Sequence, residues 1–361
     1  MTVASMDAKH AAAQSGPAHI NWIDLIRVVA VFQVILVHLS YVIFFKEDVL
    51  SANWVAANFY DSFSRMGVPL FFMVSGYLLL DKNEPVADFF RKRFMKVGIP
   101  TLFWSVAYLL WSVEAYRNGT MTPWWIALSL LKTMYLGDVE IHLWFLYVLI
   151  GIYLVTPILR VFVSAASRRD LSYFIGLWFV GTSLFELAQR LVGSPTALVI
   201  PVVTGYVGYF VLGYWLADFV LTRRGKHFSL LGVIIAVGIT FFGTNMLSIG
   251  SGPIDSYFYS YFSPPTVLAS ICGFLLLKDL GQNMGGVGKP LRVVSATSFG
   301  IFLIHIFVIG LLRSGDAGFR LYSWMAPSIY MIPLTALATF VLSFGIVFVL
   351  QKIPVLKMLV P

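Results

Sequence analysis

The sequence predicts an all-α integral membrane protein of about ten transmembrane helices, with both termini in the cytoplasm and no soluble domain. Three observations predict this fold. Residues of the set AVILMFWYC make up 59% of the 361 residues and charged residues only 12%, about half the charged share of a soluble domain. The apolar residues form runs of a length that crosses a bilayer. Basic residues are concentrated in alternate loops between these runs.

The predicted spans lie near residues 21–44, 66–80, 97–115, 142–163, 171–188, 198–220, 228–248, 264–280, 293–313 and 325–351. The second is short for a span of about 20 residues. Residues 123–136 are also too short to cross and begin with two tryptophans, so we expect a helix that lies in the membrane interface. Residues 1–19 have no apolar core and predict a disordered cytoplasmic tail rather than a cleaved signal peptide. The membrane domain is then 20–361.

The loop charges predict the orientation. The side that carries the termini holds 17 Lys and Arg residues and the opposite side seven, while Arg27 lies inside the first span. The positive side is the cytoplasmic one. The net charge of +8 does not indicate a nucleic-acid partner, because the basic residues occupy short loops rather than one soluble face. The single cysteine, Cys272, excludes an internal disulfide and a cysteine-based metal site.

Ionisable residues inside the first span are candidates for function, because each is costly in lipid. Arg27 and His38 are eleven residues apart, which is about three helical turns, so both project from one face about 16 Å apart. Arg27 is expected near the cytoplasmic surface and His38 past the midplane. The alternative is structural, with Arg27 snorkelling beside Asp24 and His38 bonded to a backbone carbonyl.

A basic run opens the third span from the cytoplasmic side. It contains Arg91, Lys92, Arg93 and Lys96 and ends before Pro100. Such a run is what fixes topology, and this structural interpretation is slightly favoured by charge alone. The functional interpretation is an anion site, since several cations at a membrane-embedded mouth suit phosphate groups.

Three further polar residues lie deep in spans on the outer side. They are His305 in the ninth span, His142 at the start of the fourth and Glu186 near the outer end of the fifth. His38 and His305 are predicted at similar depth, which indicates a polar pocket, although a lone membrane histidine is more often a packing residue. No Gly-rich phosphate loop, metal-ligand spacing or nucleophile elbow occurs, so no metal is predicted. Ser75 and Gly76 are expected to let helices approach closely.

Six segments, in order, resemble the acyltransferase-3 family of membrane acyltransferases. The first is Arg27, ten residues and His38, preceded by Asp24-Leu25-Ile26. Arg93-x-x-Lys96 resembles the cytoplasmic Arg-x-x-Arg motif of the family, with Lys in the last place, which keeps the charge but loses the bidentate fork. The others are Val68-Pro69-Leu70-Phe71-Phe72-Met73-Val74-Ser75-Gly76-Tyr77-Leu78, His142-Leu143-Trp144-Phe145-Leu146, Tyr209-Phe210-x-Leu212-Gly213-Tyr214 and Gly300-Ile301-Phe302-Leu303-Ile304-His305.

The resemblance implies ten membrane helices and transfer of an acyl group, usually acetyl, from cytoplasmic acyl-CoA to a sugar or glycan. It is strongest with small single-domain members that acetylate surface glycans, such as the enterobacterial common antigen, or that are associated with cellulose and other exopolysaccharides. By this resemblance His38 is the general base, and Arg27, Arg91, Arg93 and Lys96 hold the CoA phosphates. The supporting pocket residues are Ser75, Tyr77, His142, Trp144, Glu186 and His305.

The expected protein is therefore a multi-pass O-acyltransferase of the bacterial inner membrane. Its expected partners are acyl-CoA, a glycan or lipid-linked sugar, membrane lipids, and either a second copy of the chain or a glycan synthase. Two other classes remain open. In a transporter or flippase the same His and Arg residues would serve a proton or anion path. In a non-catalytic partner of a glycan synthase they would have no chemical role. Binding of acyl-CoA distinguishes the enzyme from both.

Overall fold

Helices form all the regular secondary structure of the described residues. The computed structural model describes residues 21–112, 122–194, 205–249, 254–284, 288–316 and 318–361. Over these residues the predicted all-α class is confirmed, and the predicted tail 1–19 lies outside them. The α-helices are α1 (Asn21–Tyr41), α2 (Ala52–Ser64), α3 (Gly67–Leu80), α4 (Val86–Arg93), α5 (Ile99–Ser112), α6 (Pro123–Leu136), α7 (Trp144–Ala165), α8 (Arg168–Phe179), α9 (Phe185–Val192), α10 (Val207–Leu216), α11 (Arg223–Ser248), α12 (Pro264–Gln282), α13 (Gly288–Ala296), α14 (Ser298–Ser314) and α15 (Ser328–Leu350).

The number of spans differs from the predicted ten. Within the described residues, eight helical segments are long and apolar enough to cross a membrane, and α13 with α14, bent by 59°, makes a ninth. The predicted span 198–220 is represented by α10, whose 10 residues fall short of the roughly 20 that a bilayer requires. Residues 195–204, which precede it, lie outside the described part. The sidedness of the loops and termini stays a prediction.

The second span begins well before its predicted start. The sequence predicts it at 66–80, whereas the helical segment runs from Ala52 to Leu80. The added segment contains polar side chains, so it does not form a continuous apolar run and the sequence does not predict it as part of the span. In the fold they are paired inside the protein: Asn58 donates to a backbone carbonyl of α11 at 3.0 Å, and Asp61 accepts from Arg65 at 2.7 Å. Buried polar groups with such partners are tolerated in lipid.

Helix α1 is the central element of the bundle. It packs against α2, α3, α12, α13, α14 and α15. Ile26, Ala30, Val31 and Ile35 are fully buried, as expected for a helix enclosed by others rather than by lipid. The helix that carries Arg27 and His38 therefore runs through the protein interior.

Helices α3 and α10 pack backbone against backbone. A Cβ atom at Gly76 would lie 1.7 Å from the carbonyl oxygen of Phe210, and one at Gly213 would lie 2.0 Å from that of Met73. Because no side chain fits at either position, the expectation that Gly76 permits close helix approach is confirmed. This contact fixes the part of α3 that carries Ser75.

Two spans contain a π-helical turn. Phe94–Gly98 joins α4 to α5, and Val180–Leu184 joins α8 to α9. A π turn adds a residue to the helical repeat, so it rotates the side chains that follow, and such turns are frequent at functional sites. The first turn lies at Arg93 and Lys96, and the second lies directly before Glu186.

The helix predicted at 123–136 is present as α6, which spans Pro123–Leu136. Gly137 ends it in the left-handed conformation, with φ of 71°, as glycine commonly does after a helix. Trp124 and Trp125 are 72% and 58% exposed, which suits rings at headgroup level. Its location in the interface remains a prediction.

Candidate active site

Three histidines from three parts of the chain meet inside the bundle. His38 comes from α1, His305 from α14, and His142 from the turn before α7. The ring centroids of His38 and His305 are 5.2 Å apart, those of His142 and His305 are 4.9 Å apart, and those of His38 and His142 are 6.3 Å apart. His142 and His305 are almost completely buried, with 1% and 0% exposure. The structure thus joins three residues that the sequence places in separate spans.

Backbone carbonyls of α14 hold two of these rings. His305 Nδ1 lies 2.7 Å from the carbonyl oxygen of Phe302, and His142 Nε2 lies 3.4 Å from that of Leu303. The second nitrogens, His305 Nε2 and His142 Nδ1, are buried without a partner among the described residues. No group of three or more His, Cys, Asp or Glu side chains in the described part of the chain is placed to hold a metal ion. The histidines are therefore arranged for hydrogen bonding.

A cavity of about 350 Å³, here called the basic cavity, lies at the end of the bundle that the loop charges predict to be cytoplasmic. Its residues come from α1, α3, the end of α4, the first π turn, α7 and the bend between α13 and α14. Four of its residues are predicted site residues: Arg27, Ser75, Arg93 and Lys96. Sequence reasoning missed Ser295, Ser298 and Phe299.

Donors without partners line the basic cavity. Arg93 Nε and Ser295 Oγ are buried and have no hydrogen-bond partner among the described residues. Ser298 and Phe299 are the first two residues of α14, and the N–H groups of a first helical turn lack intrahelical acceptors and favour anions. Together with the cations, these groups form a site suited to phosphate oxygens.

A carboxylate outside the cavity holds Arg93 in place. Glu84 accepts from Lys92 at 2.8 Å and from Arg160 at 3.0 Å, and it lies 3.8 Å from Arg93. The Lys92 hydrogen bond, with that from Arg160, lowers the pKa of the Glu84 carboxyl from 4.5 to about 2. Arg93 also lies over the Phe89 ring, 5.2 Å from its centroid. Its guanidinium is therefore oriented before any ligand binds.

Two predicted site residues lie away from both the cavities and the three histidines. Arg91, predicted to hold phosphate, is exposed on the outer face of α4 and does not line the basic cavity. Tyr77, predicted in the supporting pocket, packs against Trp22 with ring centroids 4.8 Å apart. Helical geometry explains Arg91, because it is two residues before Arg93 and so projects about 200° from it.

A second cavity of about 460 Å³, here called the aromatic pocket, opens at the opposite end of the bundle. His38, Trp144 and Glu186 line it, and Ser260 donates to Glu186 at 3.2 Å. The six aromatic residues that line it are Tyr41, Phe44, Trp144, Tyr257, Tyr259 and Tyr261. The predicted supporting residues are thus divided between two cavities, with Ser75 in one and Trp144 in the other.

An ion pair that the sequence did not reveal also borders the aromatic pocket. Arg65 makes two contacts with the buried Asp61 carboxylate, at 2.6 and 2.7 Å. Its guanidinium lies over the Tyr259 ring, 4.3 Å from the centroid. The i, i+4 spacing of Asp61 and Arg65 is the signal that could have shown the pair, whereas the charge count places Arg65 among the seven basic residues of the outer side.

A constriction lies between the two large cavities. It is a cavity of about 30 Å³ lined by His38, His142, Trp144, Phe145 and Phe302, among others. Phe145 also lines the basic cavity, while His38 and Trp144 also line the aromatic pocket. The cavities therefore follow one another through the protein, with His38 at the point where the narrow part opens outward.

Comparisons with known proteins agree with the motifs. The sequence model of a family described as "Acyltransferase domain" matches residues 20–351. The chain is similar to an amino-acid racemase of Enterococcus faecalis, with 28% identity over 190 residues, which is 47% of this chain and 25% of the racemase. It is also similar to nodulation protein 10 of Rhizobium leguminosarum bv. viciae, with 35% identity over 94 residues, 25% of this chain and 24% of that protein.

The aligned regions span only about a quarter of each of these relatives. No solved structure matches the chain. The family model, by contrast, covers nearly all of the described helices, from α1 to the end of α15. On the strength of that match, of the six ordered motifs and of the multi-pass helical fold, this chain belongs to the acyltransferase family of membrane proteins.

Proposed function

We propose that the protein transfers an acetyl or other short acyl group from acyl-CoA at the cytoplasmic face to a carbohydrate hydroxyl at the outer face of a bacterial inner membrane. One observation carries the proposal. His38 lies where a narrow passage from the basic cavity opens into the aromatic pocket. A base at this junction meets a donor that enters from one side and an acceptor that enters from the other.

The basic cavity supports acyl-CoA as the donor. CoA carries several phosphate charges, and Arg27, Arg93 and Lys96 converge on this one cavity. The unpartnered Arg93 Nε and Ser295 Oγ are donors that phosphate oxygens would satisfy. Arg27 and His38 lie on one continuous helix about 16 Å apart along its axis, comparable to an extended pantetheine arm. The thioester of a CoA bound at Arg27 would therefore reach His38.

The aromatic pocket supports a sugar as the acceptor. Aromatic faces pack against the apolar face of a sugar ring, while a few polar groups orient its hydroxyls. Trp144 and Tyr261 offer such faces, with ring centroids 5.7 Å apart. Glu186 and Arg65 supply polar groups at the wall. The identity of the sugar is not part of the proposal.

The chemistry assigned to His38 is general base catalysis. Its unprotonated ring nitrogen takes the proton of the acceptor hydroxyl while the hydroxyl oxygen bonds to the thioester carbonyl carbon. The C–S bond then breaks, and the proton returns to the leaving sulfur to give free CoA thiol. The products are an O-acyl ester and CoA.

The passage must widen for this reaction. A volume of about 30 Å³ holds one or two water molecules and is too small for a thioester. Phe145 lines both the passage and the basic cavity and contacts Phe302, with ring centroids 5.2 Å apart. We expect the Phe145 ring to move when the acyl end of the donor arrives.

Equilibrium binding of radiolabelled acetyl-CoA to detergent-purified protein tests the donor site. The double variant Arg93→Glu, Lys96→Glu should bind roughly 100-fold more weakly, because two attractive charges become repulsive. The matched control is Arg91→Glu, Arg169→Glu, which makes the same change in net charge at two exposed residues outside the cavity. This control should bind within about twofold of wild type.

Equal losses in the two double variants would mean that CoA responds only to total charge, and the basic cavity would then be a topological feature. A wild-type protein that binds no acyl-CoA would contradict the proposed function as a whole. It would favour a transporter or a non-catalytic partner, neither of which requires the donor.

A further inference from the structure

The two buried histidines next to His38 each have one nitrogen engaged and one without a partner. A carbonyl oxygen only accepts hydrogen bonds, so His305 Nδ1 must carry the proton in its 2.7 Å contact with the Phe302 carbonyl. In a neutral ring the other nitrogen, Nε2, then has a free lone pair. His305 Nε2 is buried and unpartnered among the described residues. The lone pair of His305 Nε2 is therefore available to accept a hydrogen bond from a neighbouring buried N–H group.

The distance between His38 and His305 fits such a use. Two imidazoles joined by an N–H···N bond of about 3 Å have ring centroids about 5 Å apart. The observed separation of the His38 and His305 centroids is 5.2 Å, with the rings tilted by 40°. The His38–His142 separation is longer, at 6.3 Å. A small rotation of the His38 ring would bring one of its N–H groups to His305 Nε2.

A base at this position needs that partner. When His38 takes a proton, both of its ring nitrogens carry hydrogen, and a buried N–H without an acceptor costs about 1–3 kcal/mol. In many hydrolases a carboxylate accepts from the second nitrogen. No carboxylate lines the constriction around His38 in the described residues. Asp61 is engaged by Arg65, and Glu186, on the wall of the aromatic pocket, accepts from Ser260 at 3.2 Å.

We propose that His305 is a positioning residue that accepts a hydrogen bond from one ring N–H of His38. This bond fixes the tautomer of His38, so that its other nitrogen presents a lone pair to the acceptor hydroxyl. The proton of the His38–His305 bond stays on His38 throughout, and the proton from the hydroxyl is the one that moves to the sulfur. The inference rests on the proposed function of His38 and extends it to a histidine pair.

Two amide variants distinguish the roles of the two ring nitrogens of His305. In His305→Asn the amide occupies the place of Nδ1 and leaves the place of Nε2 empty, whereas in His305→Gln an amide oxygen reaches the place of Nε2. The assay follows transfer from radiolabelled acetyl-CoA to envelope glycans extracted from cells that express the protein. We expect His305→Asn to lower kcat roughly 100-fold with the donor KM unchanged, and His305→Gln to stay within about tenfold of wild type.

Equal kcat values for the two variants, or losses that appear in the donor KM, would overturn the positioning role. Thermal unfolding in detergent identifies a variant that has lost its fold, and if either variant has done so, the NMR spectrum of the wild-type protein decides. His142→Gln serves as a comparison, since it changes the more distant histidine. We expect its kcat to fall less than that of His305→Asn.

Solid-state NMR of protein labelled with ¹⁵N-histidine tests the bond without any substrate. In wild type we expect one His38 nitrogen to be protonated with the shift of an N–H bonded to an imidazole nitrogen. In His305→Asn that shift should be lost, while the exposed His227 keeps its signals. An unchanged His38 spectrum would overturn the inference. Absence of acyl transfer in wild type would instead contradict the proposed function and leave this measurement valid.

Discussion

The basic cavity and the aromatic pocket are built in opposite ways. The charges of the basic cavity come from the N-terminal part of α1, the last residue of α4 and the π turn that follows it, so they belong to short sequence motifs. The aromatic pocket draws its six rings from the end of α1, the 3-10 turn Ile43–Phe45 that follows it, the start of α7 and the segment before α12. The comparison shows that one cavity is encoded locally by charge and the other is assembled by the tertiary fold. His38 lines the aromatic pocket and the passage that leads from it toward the basic cavity.

The largest expected effect comes from His38, which lines the aromatic pocket where the narrow passage opens into it. His38→Gln removes the base and should lower the rate of acyl transfer at least about 10³-fold, while acetyl-CoA binding stays within about twofold of wild type. Single-turnover transfer and equilibrium binding measure the two quantities. The matched control His227→Gln changes an exposed histidine and should be silent. A folded His38→Gln protein that transfers at near wild-type rate would refute the mechanism.

An intermediate effect is expected from the aromatic pocket alone. Trp144→Ala removes a ring face and should raise the KM for the acceptor roughly tenfold, with the donor KM unchanged. Trp124→Ala is the control, since Trp124 is 72% exposed on α6 and lies outside the pocket. If Trp144→Ala raised the donor KM instead, the division of the two cavities between two substrates would be wrong.

The smallest effect is expected at Glu84, behind the basic cavity. Its pKa is lowered from 4.5 to about 2 by Lys92 and Arg160, so its contribution to stability is complete above pH 4.5 and is lost as the pH falls toward 2. Glu84→Gln should therefore lower the free energy of unfolding at pH 6 by on the order of 1–2 kcal/mol, once the contribution of the exposed Lys92 is discounted. Its melting temperature at pH 6 should fall as a result.

Melting curves of wild type and Glu84→Gln between pH 6 and pH 3 measure this difference. The gap between the two proteins should narrow on the acid side. The control Asp48→Asn changes an exposed carboxylate and should follow wild type at every pH. A gap of constant size down to pH 3 would show that the ion cluster does not stabilise the fold.

The all-α fold class and the positions of Arg27 and His38 on α1 could be predicted from the sequence, because both depend on residues that are close together in the chain. Apolar runs predict helices in lipid, and an eleven-residue spacing places Arg27 and His38 on one face. The close helix contact at Gly76 could be predicted for the same reason, because small residues mark such contacts. Each of these follows from one segment read by itself.

The missed features depend on segments far apart in the chain. Asp61 and Arg65 are charged residues, which a membrane span rarely contains. Their burial is tolerated because each neutralises the charge of the other. Ser295 became part of the basic cavity through the bend between α13 and α14. The rings of Tyr257, Tyr259 and Tyr261 line the aromatic pocket together with His38, and the segment that carries them has no motif. Aromatic residues are 16% of the chain, so composition did not single these out.

The constriction at Phe145 has a consequence for the energy of the cell. A protein whose cavities opened at both faces of an energised membrane would leak protons and ions if the two cavities were joined. Each elementary charge that crossed would dissipate about 2.3 kcal/mol of electrical energy per 100 mV. The rings of Phe145 and Phe302, tilted at 59° with centroids 5.2 Å apart, line the passage of about 30 Å³ beside His38, and Phe72 packs on Phe145 at 4.8 Å. If the two cavities open to opposite faces of the membrane as proposed, these rings would block ion flow while the passage is narrow, and the membrane potential would be kept between turnovers.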